Sequence, residues 1–258
     1  MNIYVLVKQV PVISDIKINH QTFSIERDGA GTMMNPVDIH AVSAAVALKK
    51  SLGGTITVLT MGNETSEVQL REAAGMGADR LIRITDNAFA GADTLVTAKV
   101  LAAAIRHLGA PDCIFCGQAS LDGSTGQIGA KLAALLGIGC LNNASRIDIE
   151  EKGLTIHQKA GNGYDVWQAD FPLVCSVTED ANEPVPVTLK GKMAAKKAVI
   201  SVLSNADLNI APEDCHSPSR IEALFPAARQ EAGIRIAGGT EKESAKKLAD
   251  ILFEKHLI

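Results

Sequence analysis

The sequence is poor in aromatic residues and has no excess of positive charge. Aromatic residues make up 3% of its 258 positions, with a single tryptophan, Trp167. Single-stranded nucleic acids are usually held by exposed aromatic rings, so this scarcity argues against such a ligand. Lys and Arg number 25 against 29 Asp and Glu, and the resulting net charge of −4 offers no positive field for a nucleic-acid duplex.

Long apolar runs and paired cysteines are also missing. Lys99, Arg106 and Lys131 interrupt the longest apolar candidates, so none reaches the roughly 18 residues that a membrane-spanning helix needs. The N-terminal apolar run lacks the flanking features of a secretory signal, and we expect no membrane insertion. The five cysteines are odd in number and scattered, which argues against a disulfide framework and favours a reducing, cytoplasmic location.

Apolar runs and amphipathic segments alternate through the first half of the chain. Strands are predicted over 2–8, 55–61, 80–84 and 112–116. Helices are predicted over 36–51, 64–75, 93–108 and 124–136. This alternation predicts an α/β fold, a parallel sheet with helices on both faces, in which ligands bind beyond the carboxyl ends of the strands.

The second half of the chain shows a different pattern of residues. Short β-like segments predict a small antiparallel extension over about 142–180, namely 145–150, 153–159, 163–169 and 172–178. Residues 205–239 predict an extended arm, and 240–256 predict an amphipathic helix with Thr240 as its N-cap. We therefore expect an α/β nucleotide-binding domain over 1–204 and a C-terminal arm over 205–258. Such an arm either clasps a partner or packs on its own domain.

The turn before the first predicted helix has features of a phosphate site. Asn35 suits an N-cap, Pro36 suits the first helical position, and Asp38 occupies the capping-box position. A helix N-terminus exposes free N–H groups and a partial positive charge that favour an anion. The alternative is an ordinary capped helix that binds nothing.

The turn after the fourth predicted strand is rich in glycine and hydroxyl groups. Its candidate ligand-binding residues are Cys116, Gly117, Gln118, Asp122, Gly123, Ser124 and Thr125. Its backbone N–H groups and hydroxyls can surround a phosphate, although a tight strand-to-helix turn needs glycine for steric reasons alone. No lysine precedes Ser124–Thr125, so the segment is not a P-loop and a magnesium-dependent phosphotransferase is not supported.

A third candidate segment precedes the predicted helix over 93–108. Asp93 or Thr94 can cap this helix, and Thr97 lies one turn inside it. An ordinary cap is the simpler interpretation. A flat ring lying across the turn would also account for the small residues around Ala92 and for both threonines.

The pair Cys113 and Cys116 does not predict a metal or redox centre. Positions i and i+3 of a strand point to opposite faces, so the two sulfurs diverge. No second Cys or His pair has the spacing of metal ligands, and no nucleophile, base and orienting group occur together. We therefore expect neither a metal site nor catalytic side chains.

Taken in order, these segments resemble the beta subunit of electron transfer flavoproteins over essentially the whole chain. The resemblance is carried by Val7–Pro11, Asn35–Asp38, Ala74–Arg80, Phe89–Leu95, Gly117–Gly129, Asn182–Pro184 and Met193–Lys197. Each segment is weak evidence alone, but their common order is specific.

The resemblance implies a heterodimer with a larger alpha subunit that binds one FAD. It also implies a second adenine nucleotide on this chain, held by Leu6, Lys8, Asn35, Asp38, Met61 and the loop Gly117–Thr125. In the electron-bifurcating branch of the family this nucleotide is FAD, which takes a hydride from NADH. In the conventional branch it is a structural AMP. The segment Phe89–Leu95 and the compact loop Asp122–Gln127 are similar to the bifurcating branch and favour FAD.

The resemblance also implies protein partners for the electrons. In the bifurcating branch, one electron goes to ferredoxin or flavodoxin and the other goes through the alpha-subunit FAD to an acyl-CoA or hydroxyacid dehydrogenase. Leu189 is the expected docking residue for the dehydrogenase. Val185 and Ala194 stand where the family usually has Arg and Lys, so the identity of that dehydrogenase stays open.

Overall fold

A computed structural model of the protein describes residues 1–12, 17–19, 24–26, 31–219, 222, 233–236 and 239–258. The predicted arm over 205–239 therefore lies partly outside the described residues. The strands are β1 Asn2–Leu6, β2 Gln9–Pro11, β3 Lys17–Asn19, β4 Ser24–Glu26, β5 Thr32–Met34, β6 Thr55–Met61, β7 Arg80–Ile84, β8 Cys113–Gly117, β9 Gly139–Ile149, β10 Gly153–Ala160, β11 Gly163–Asp170, β12 Leu173–Val177 and β13 Ile200–Leu203. The helices are α1 Pro36–Leu52, α2 Glu67–Met76, α3 Thr94–Leu108, α4 Ile128–Leu136, α5 Leu189–Lys197, α6 Asn205–Leu208 and α7 Glu241–Glu254.

One nine-stranded sheet organises the described chain, in the order β11-β10-β9-β12-β8-β1-β6-β7-β13. Within the sheet order, every neighbouring pair from β9 through β12, β8, β1, β6 and β7 to β13 is parallel. On the other side of β9, β10 and β11 continue the sheet as an antiparallel hairpin. This confirms the predicted α/β fold with a small antiparallel extension. The prediction was wrong for 172–178: β12 lies parallel between β8 and β9 instead of joining the hairpin.

Helices cover both faces of the sheet, as predicted. Side chains of β1 alternate between two cores: Ile3 and Val5 pack with the α1 and α2 face, and Tyr4 and Leu6 pack with the α3 and α4 face. Cys113 and Cys116 belong to opposite cores, which confirms that their thiols diverge. All five cysteines are free.

The fourth predicted helix begins later than expected, at Ile128 instead of residue 124. Ser124 and Gly126 have φ values of 49° and 63°, in the left-handed region. A right-handed helix cannot pass through such residues, so the chain forms an open turn before α4. The hydroxyl-rich segment thus belongs to a loop and not to the helix.

The prediction of an extended arm was wrong at its start, because residues 205–208 and 212–215 are helical and Cys215 is buried in the core of the domain. The edge strand β13 pairs with β7, and the short helix α6 and a 3-10 turn at Pro212–Cys215 follow it. The terminal helix α7 begins as predicted, with Thr240 and Glu243 forming a capping box. No helix in the part of the chain that the structure describes is long and apolar enough to cross a membrane.

Helix α5 lies against α2 at a contact where two glycines leave no room for side chains. A Cβ atom added to Gly191 would overlap the carbonyl oxygen of Gly75, and one added to Gly75 would lie 2.7 Å from a methyl group of Val187. Arg71 of α2 donates hydrogen bonds of 3.0 and 3.1 Å to the carbonyl oxygens of Ala195 and Ala198, which end α5. Close packing and this side chain together hold α5 on the domain.

We predict that Gly191→Ala lowers the free energy of unfolding by about 1–3 kcal/mol, the usual cost of forcing an extra methyl group into a packed contact. Urea denaturation of the full chain measures this change. Gly163→Ala is the control, because a Cβ at Gly163 meets nothing within 4 Å. Equal losses in the two variants would contradict the proposed steric role of Gly191.

Candidate functional site

The carboxyl ends of β1 and β8 frame a topological switch point of the sheet. After β1 the chain passes through α1 to β6 on one side, whereas β8, reached through α3, pairs with the other side of β1. Loops that leave two such strands diverge and open a crevice, which is where parallel α/β sheets bind ligands. The residues that follow β1 and β8, Lys8 and the loop from Gly117, are therefore the walls of the candidate site.

The buried carboxylate of Asp38 joins these two strand ends. It accepts hydrogen bonds from the backbone N–H of Lys8 at 2.8 Å and from that of Gly117 at 3.1 Å. Burial raises the pKa of Asp38 to about 7, although hydrogen bonds from Asn35, Lys8 and Gly117 oppose the rise. Gly117 is required here because a Cβ at this position would overlap the Asp38 carboxylate.

Asn35 occupies the N-cap position of α1 but its side chain does not cap the helix. Its Oδ1 instead accepts a hydrogen bond from the Leu121 N–H, and its Nδ2 donates to the Ala119 carbonyl oxygen, both at 3.0 Å. The second hydrogen of Nδ2 goes to Asp38, also at 3.0 Å. The predicted capping box of Asn35 and Asp38 is therefore replaced by contacts with the loop after β8.

Lys8 and Asp122 form an ion pair across the crevice. The Lys8 Nζ atom lies 2.7 and 2.9 Å from the two carboxylate oxygens of Asp122 and 3.3 Å from the Ser120 hydroxyl. Burial disfavours the charged form of Asp122, but the hydrogen bonds from Lys8 and Ser120 outweigh it and lower its pKa. The Lys8 side chain is 48% exposed despite these contacts.

The open turn before α4 presents backbone donors without acceptors. Among the described residues, the N–H groups of Thr125, Gly126 and Gln127 have no hydrogen-bond partner. The positive φ values at Ser124 and Gly126 bend the backbone, and such bends gather successive N–H groups into an anion-binding concavity. The N-terminus of α4 follows directly and adds its own free donors. The donor set therefore suits a phosphate.

Thr94 brings the segment before α3 to this turn. Its hydroxyl donates to Gln127 Oε1 at 2.8 Å and accepts from Lys131 Nζ at 2.6 Å. Gln127 and Lys131 were not predicted as site residues, although their spacing of four places them on one side of the start of α4. The structure thus joins the second and third candidate segments, which the sequence left separate.

Asp93 and its neighbours are tied to the C-terminal segment. The Asp93 carboxylate caps α3 by accepting from Leu95 and Val96, and it also accepts a hydrogen bond of 2.6 Å from the Ser219 hydroxyl. The Ser219 contact is the largest cause of its lowered pKa. Ala92 and Thr97 are half-buried, and the Thr97 hydroxyl has no partner in the described chain. The simple cap predicted for Asp93 is confirmed, and it leaves no oxygen without a donor.

The remaining predicted residues lie at or directly after the carboxyl ends of β1, β6 and β8. Leu6 is buried at the end of β1, and Met61 packs on the same core at the end of β6. Cys116 is buried, and burial raises the pKa of its thiol well above the usual value, so it is not a reactive thiolate. Gln118 is exposed, and its N–H donates to the Val177 carbonyl oxygen of β12 at 2.8 Å.

Two further expectations concern positions outside the crevice. Leu189 begins α5 and is 78% exposed. A search of the described residues finds no cluster of three or more His, Cys, Asp or Glu side chains that could hold a metal ion.

The fold and this edge together define an α/β protein with a candidate ligand site at a switch point of its parallel sheet. Comparison with known proteins then gives the family. The electron transfer flavoprotein domain matches residues 22–208. The chain therefore belongs to the electron transfer flavoprotein family, as a beta subunit that functions in electron transfer together with an alpha subunit.

Three relatives illustrate the range of the similarity. The electron transfer flavoprotein subunit beta of Thermoanaerobacterium thermosaccharolyticum is 34% identical over 262 residues, covering all of both chains. Subunit CarD of the caffeyl-CoA reductase-Etf complex of Acetobacterium woodii is 33% identical, again over the full length of both. The protein FixA of Azorhizobium caulinodans is 36% identical over 92% of this chain and 88% of its own.

We predict that Asp38 makes stability fall as pH rises between about 4 and 7. With a pKa near 7 in the folded protein and an ordinary pKa of 3.8 when unfolded, Asp38 binds its proton more tightly in the folded state. The protonated form of Asp38 contributes stability that is complete below the unfolded-state pKa of 3.8. This contribution is lost as the pH rises to the folded-state pKa of about 7. At about 1.4 kcal/mol per pH unit, the loss is at most about 4 kcal/mol.

Urea denaturation of the full chain and of Asp38→Asn, from pH 4.5 to 8, measures this effect. The unfolding free energy of the native chain, relative to that of the variant, should decrease over this interval. Parallel profiles would show that Asp38 titrates as an ordinary carboxyl.

Proposed function

We propose that this chain binds FAD in the crevice between β1 and β8 and takes part in electron bifurcation from NADH. NADH yields two electrons as a hydride, leaving NAD⁺. One electron goes to ferredoxin or flavodoxin, and the other goes to the alpha-subunit FAD and on to an acyl-CoA or hydroxyacid dehydrogenase. A bound flavin supplies the hydride acceptance and the release of single electrons, and the protein supplies position and electrostatics.

The turn at Ser124–Gln127, beside Lys8, is the observation that carries the nucleotide assignment. The three N–H groups without a partner among the described residues and the start of α4 follow directly after Ser120 and Asp122, which contact the Lys8 ammonium group. These groups suit the charge and the oxygen acceptors of a phosphate. Asp122 holds the Lys8 ammonium group at this position and prevents it from extending into solvent.

The contact of Thr94 with Gln127 and Lys131 supports FAD over AMP. This contact joins the turn at Ser124–Gln127 to the segment from Gly91 to Thr97, so the proposed site extends along that segment. Gly91 has a φ of 74°, and no atom of the described residues lies within 4 Å of where its Cβ would project. A ring joined to the nucleotide would cover this surface, with the Thr97 hydroxyl available as a hydrogen-bonding group. AMP has no group that would extend there.

The name of one relative also supports the proposal. CarD of Acetobacterium woodii is named as a subunit of a complex between an electron transfer flavoprotein and caffeyl-CoA reductase. A similar assembly, with an acyl-CoA or hydroxyacid dehydrogenase, is proposed for this chain. The alternative is a conventional beta subunit with structural AMP, in which only the alpha-subunit FAD carries electrons.

The C-terminal arm over 205–258 is proposed to clasp the alpha subunit. None of the residues of α7 is buried, and two of its large apolar side chains are exposed: Leu248 by 46% and Phe253 by 65%. A helix of this kind gains stability when another surface covers it. Ser219 links the beginning of the arm to Asp93, next to the crevice. The unpaired state of all five cysteines fits a cytoplasmic location for the complex.

Helix α5 is proposed to dock the dehydrogenase through Leu189. Leu189 and Met193, one turn apart, are 78% and 60% exposed. All four lysines of this nine-residue helix are exposed and have no ion-pair partner in the described chain: Lys190, Lys192, Lys196 and Lys197. An apolar centre with a positive rim suits a partner surface that is apolar in the middle and acidic around it.

The nucleotide content of the purified complex with the alpha subunit tests the main proposal. We expect two flavins per heterodimer and reduction of flavin by NADH, measured by extraction, chromatography and anaerobic absorbance. One flavin with one AMP would overturn the bifurcation proposal in favour of the structural alternative.

The same assay on two variants tests the location of the site. Asp122→Ala frees the Lys8 ammonium group, and Thr94→Val removes the hydroxyl between Gln127 and Lys131, so each should weaken binding at this site about tenfold. The alpha-subunit flavin should stay bound in both. Asp165→Ala, an exposed change on β11, is the control. Native flavin content and native NADH reduction in both site variants would rule out this location.

We predict that Leu189→Ala raises the KM for the dehydrogenase about 5- to 30-fold, the range expected for an anchoring side chain worth about 1–2 kcal/mol. Reduction of the complex by NADH should not change, because α5 lies outside the crevice. Val68→Ala provides a matched control, since Val68 is also an exposed apolar side chain, on α2. An unchanged KM in Leu189→Ala would exclude Leu189 as the anchor.

A further inference from the structure

Asn35 and Asp38 lie at the crevice, yet their side chains are inaccessible. The two residues are 1% and 6% exposed, and both belong to the first turn of α1, between the ends of β1 and β8. A side chain that binds a ligand directly needs a free donor or acceptor that faces the ligand. The hydrogen bonds of these two residues show whether any is left.

The Asn35 amide group is used within the protein. Its two Nδ2 hydrogens go to Asp38 Oδ1 and to the Ala119 carbonyl oxygen, and its Oδ1 accepts from the Leu121 N–H. An amide has two donor hydrogens, so no donor remains for a nucleotide. Two of its three bonds run to the loop after β8, across 84 and 86 positions of sequence.

The Asp38 carboxylate is used in the same way. Oδ2 accepts from the Lys8 N–H, and Oδ1 accepts from both the Gly117 N–H and Asn35. A buried carboxyl group whose two oxygens accept from three donors is fixed in place. Its contacts therefore set the backbone positions of Lys8 and Gly117.

We propose that Asn35 and Asp38 are positioning residues, which place the loop 117–122 and Lys8 for the ligand and do not bind the nucleotide with their own side chains. Asn35 fixes the loop on both sides of Ser120, and Asp38 fixes its first residue. Asp122 then meets the Lys8 ammonium group at the correct place. This inference rests on the proposed nucleotide site, but the loop contacts are testable without any nucleotide.

Asn35→Ser tests whether Asn35 places the loop 117–122 or binds the nucleotide with its own side chain. Serine is a good N-cap, so α1 keeps a stable start, but its shorter side chain cannot reach both Ala119 and Leu121. Asn63→Ser is the matched control. Asn63 follows β6 at the same edge of the sheet, and among the described residues its side chain bonds only to Thr65 of its own turn.

The measurement combines amide hydrogen exchange with nucleotide binding in the complex with the alpha subunit. In the nucleotide-stripped complex, peptides that cover 117–123 should exchange about tenfold faster in Asn35→Ser than in the native chain or in Asn63→Ser. Titration with FAD, and separately with AMP, should show weaker binding only in Asn35→Ser.

Three outcomes separate the possibilities. Weaker binding with unchanged loop exchange would mean that Asn35 contacts the nucleotide directly, and would overturn the inference. Unchanged exchange with unchanged binding would overturn it as well. Faster exchange in a complex that binds neither FAD nor AMP, even with the native chain, would support the role of Asn35 in the loop and would refute the proposed function instead.

Discussion

The buried carboxylate of Asp38 is the interaction on which the candidate site depends. It holds the backbone of Lys8 after β1 and that of Gly117 after β8, and it does so from the first turn of α1. Three elements that are distant in sequence therefore meet at one group. Because the carboxylate has little access to water, its hydrogen bonds have to be made by the protein, which restricts how the strand ends can be arranged.

The other polar groups of the edge form two layers around this centre. Asn35 and Asp38 are buried and bond to backbone, whereas the Lys8 side chain and the turn before α4 are exposed, and the Asp122 side chain, only 10% exposed, pairs with Lys8. The inner layer gives shape and the outer layer gives charge and free donors. This division explains how a chain with a net charge of −4 can present a site suited to an anion: the favourable groups are local and are largely backbone N–H groups.

Different parts of the domain carry different proposed roles. The crevice lies near the centre, α5 packs beside α2 through two glycines, and the arm is connected to Asp93 through Ser217 and Ser219. The Ser217 hydroxyl accepts from the Asp93 N–H and donates to the Gly91 carbonyl oxygen. The proposed clasp of the alpha subunit is thus linked by hydrogen bonds to the segment proposed to adjoin the ring.

The sequence by itself determined the α/β class, most strands and helices, and the turns that hold the candidate residues, because apolar periodicity and glycine placement are local properties. It did not determine that β12 is parallel, since a run such as Leu173–Val177, buried on both faces, shows no direction until its neighbours are known. Nor did it show that Asn35 bonds to Ala119 and Leu121 instead of capping α1. Only the tertiary structure decided these points, because a side chain's partner depends on which distant strand ends the fold brings beside it.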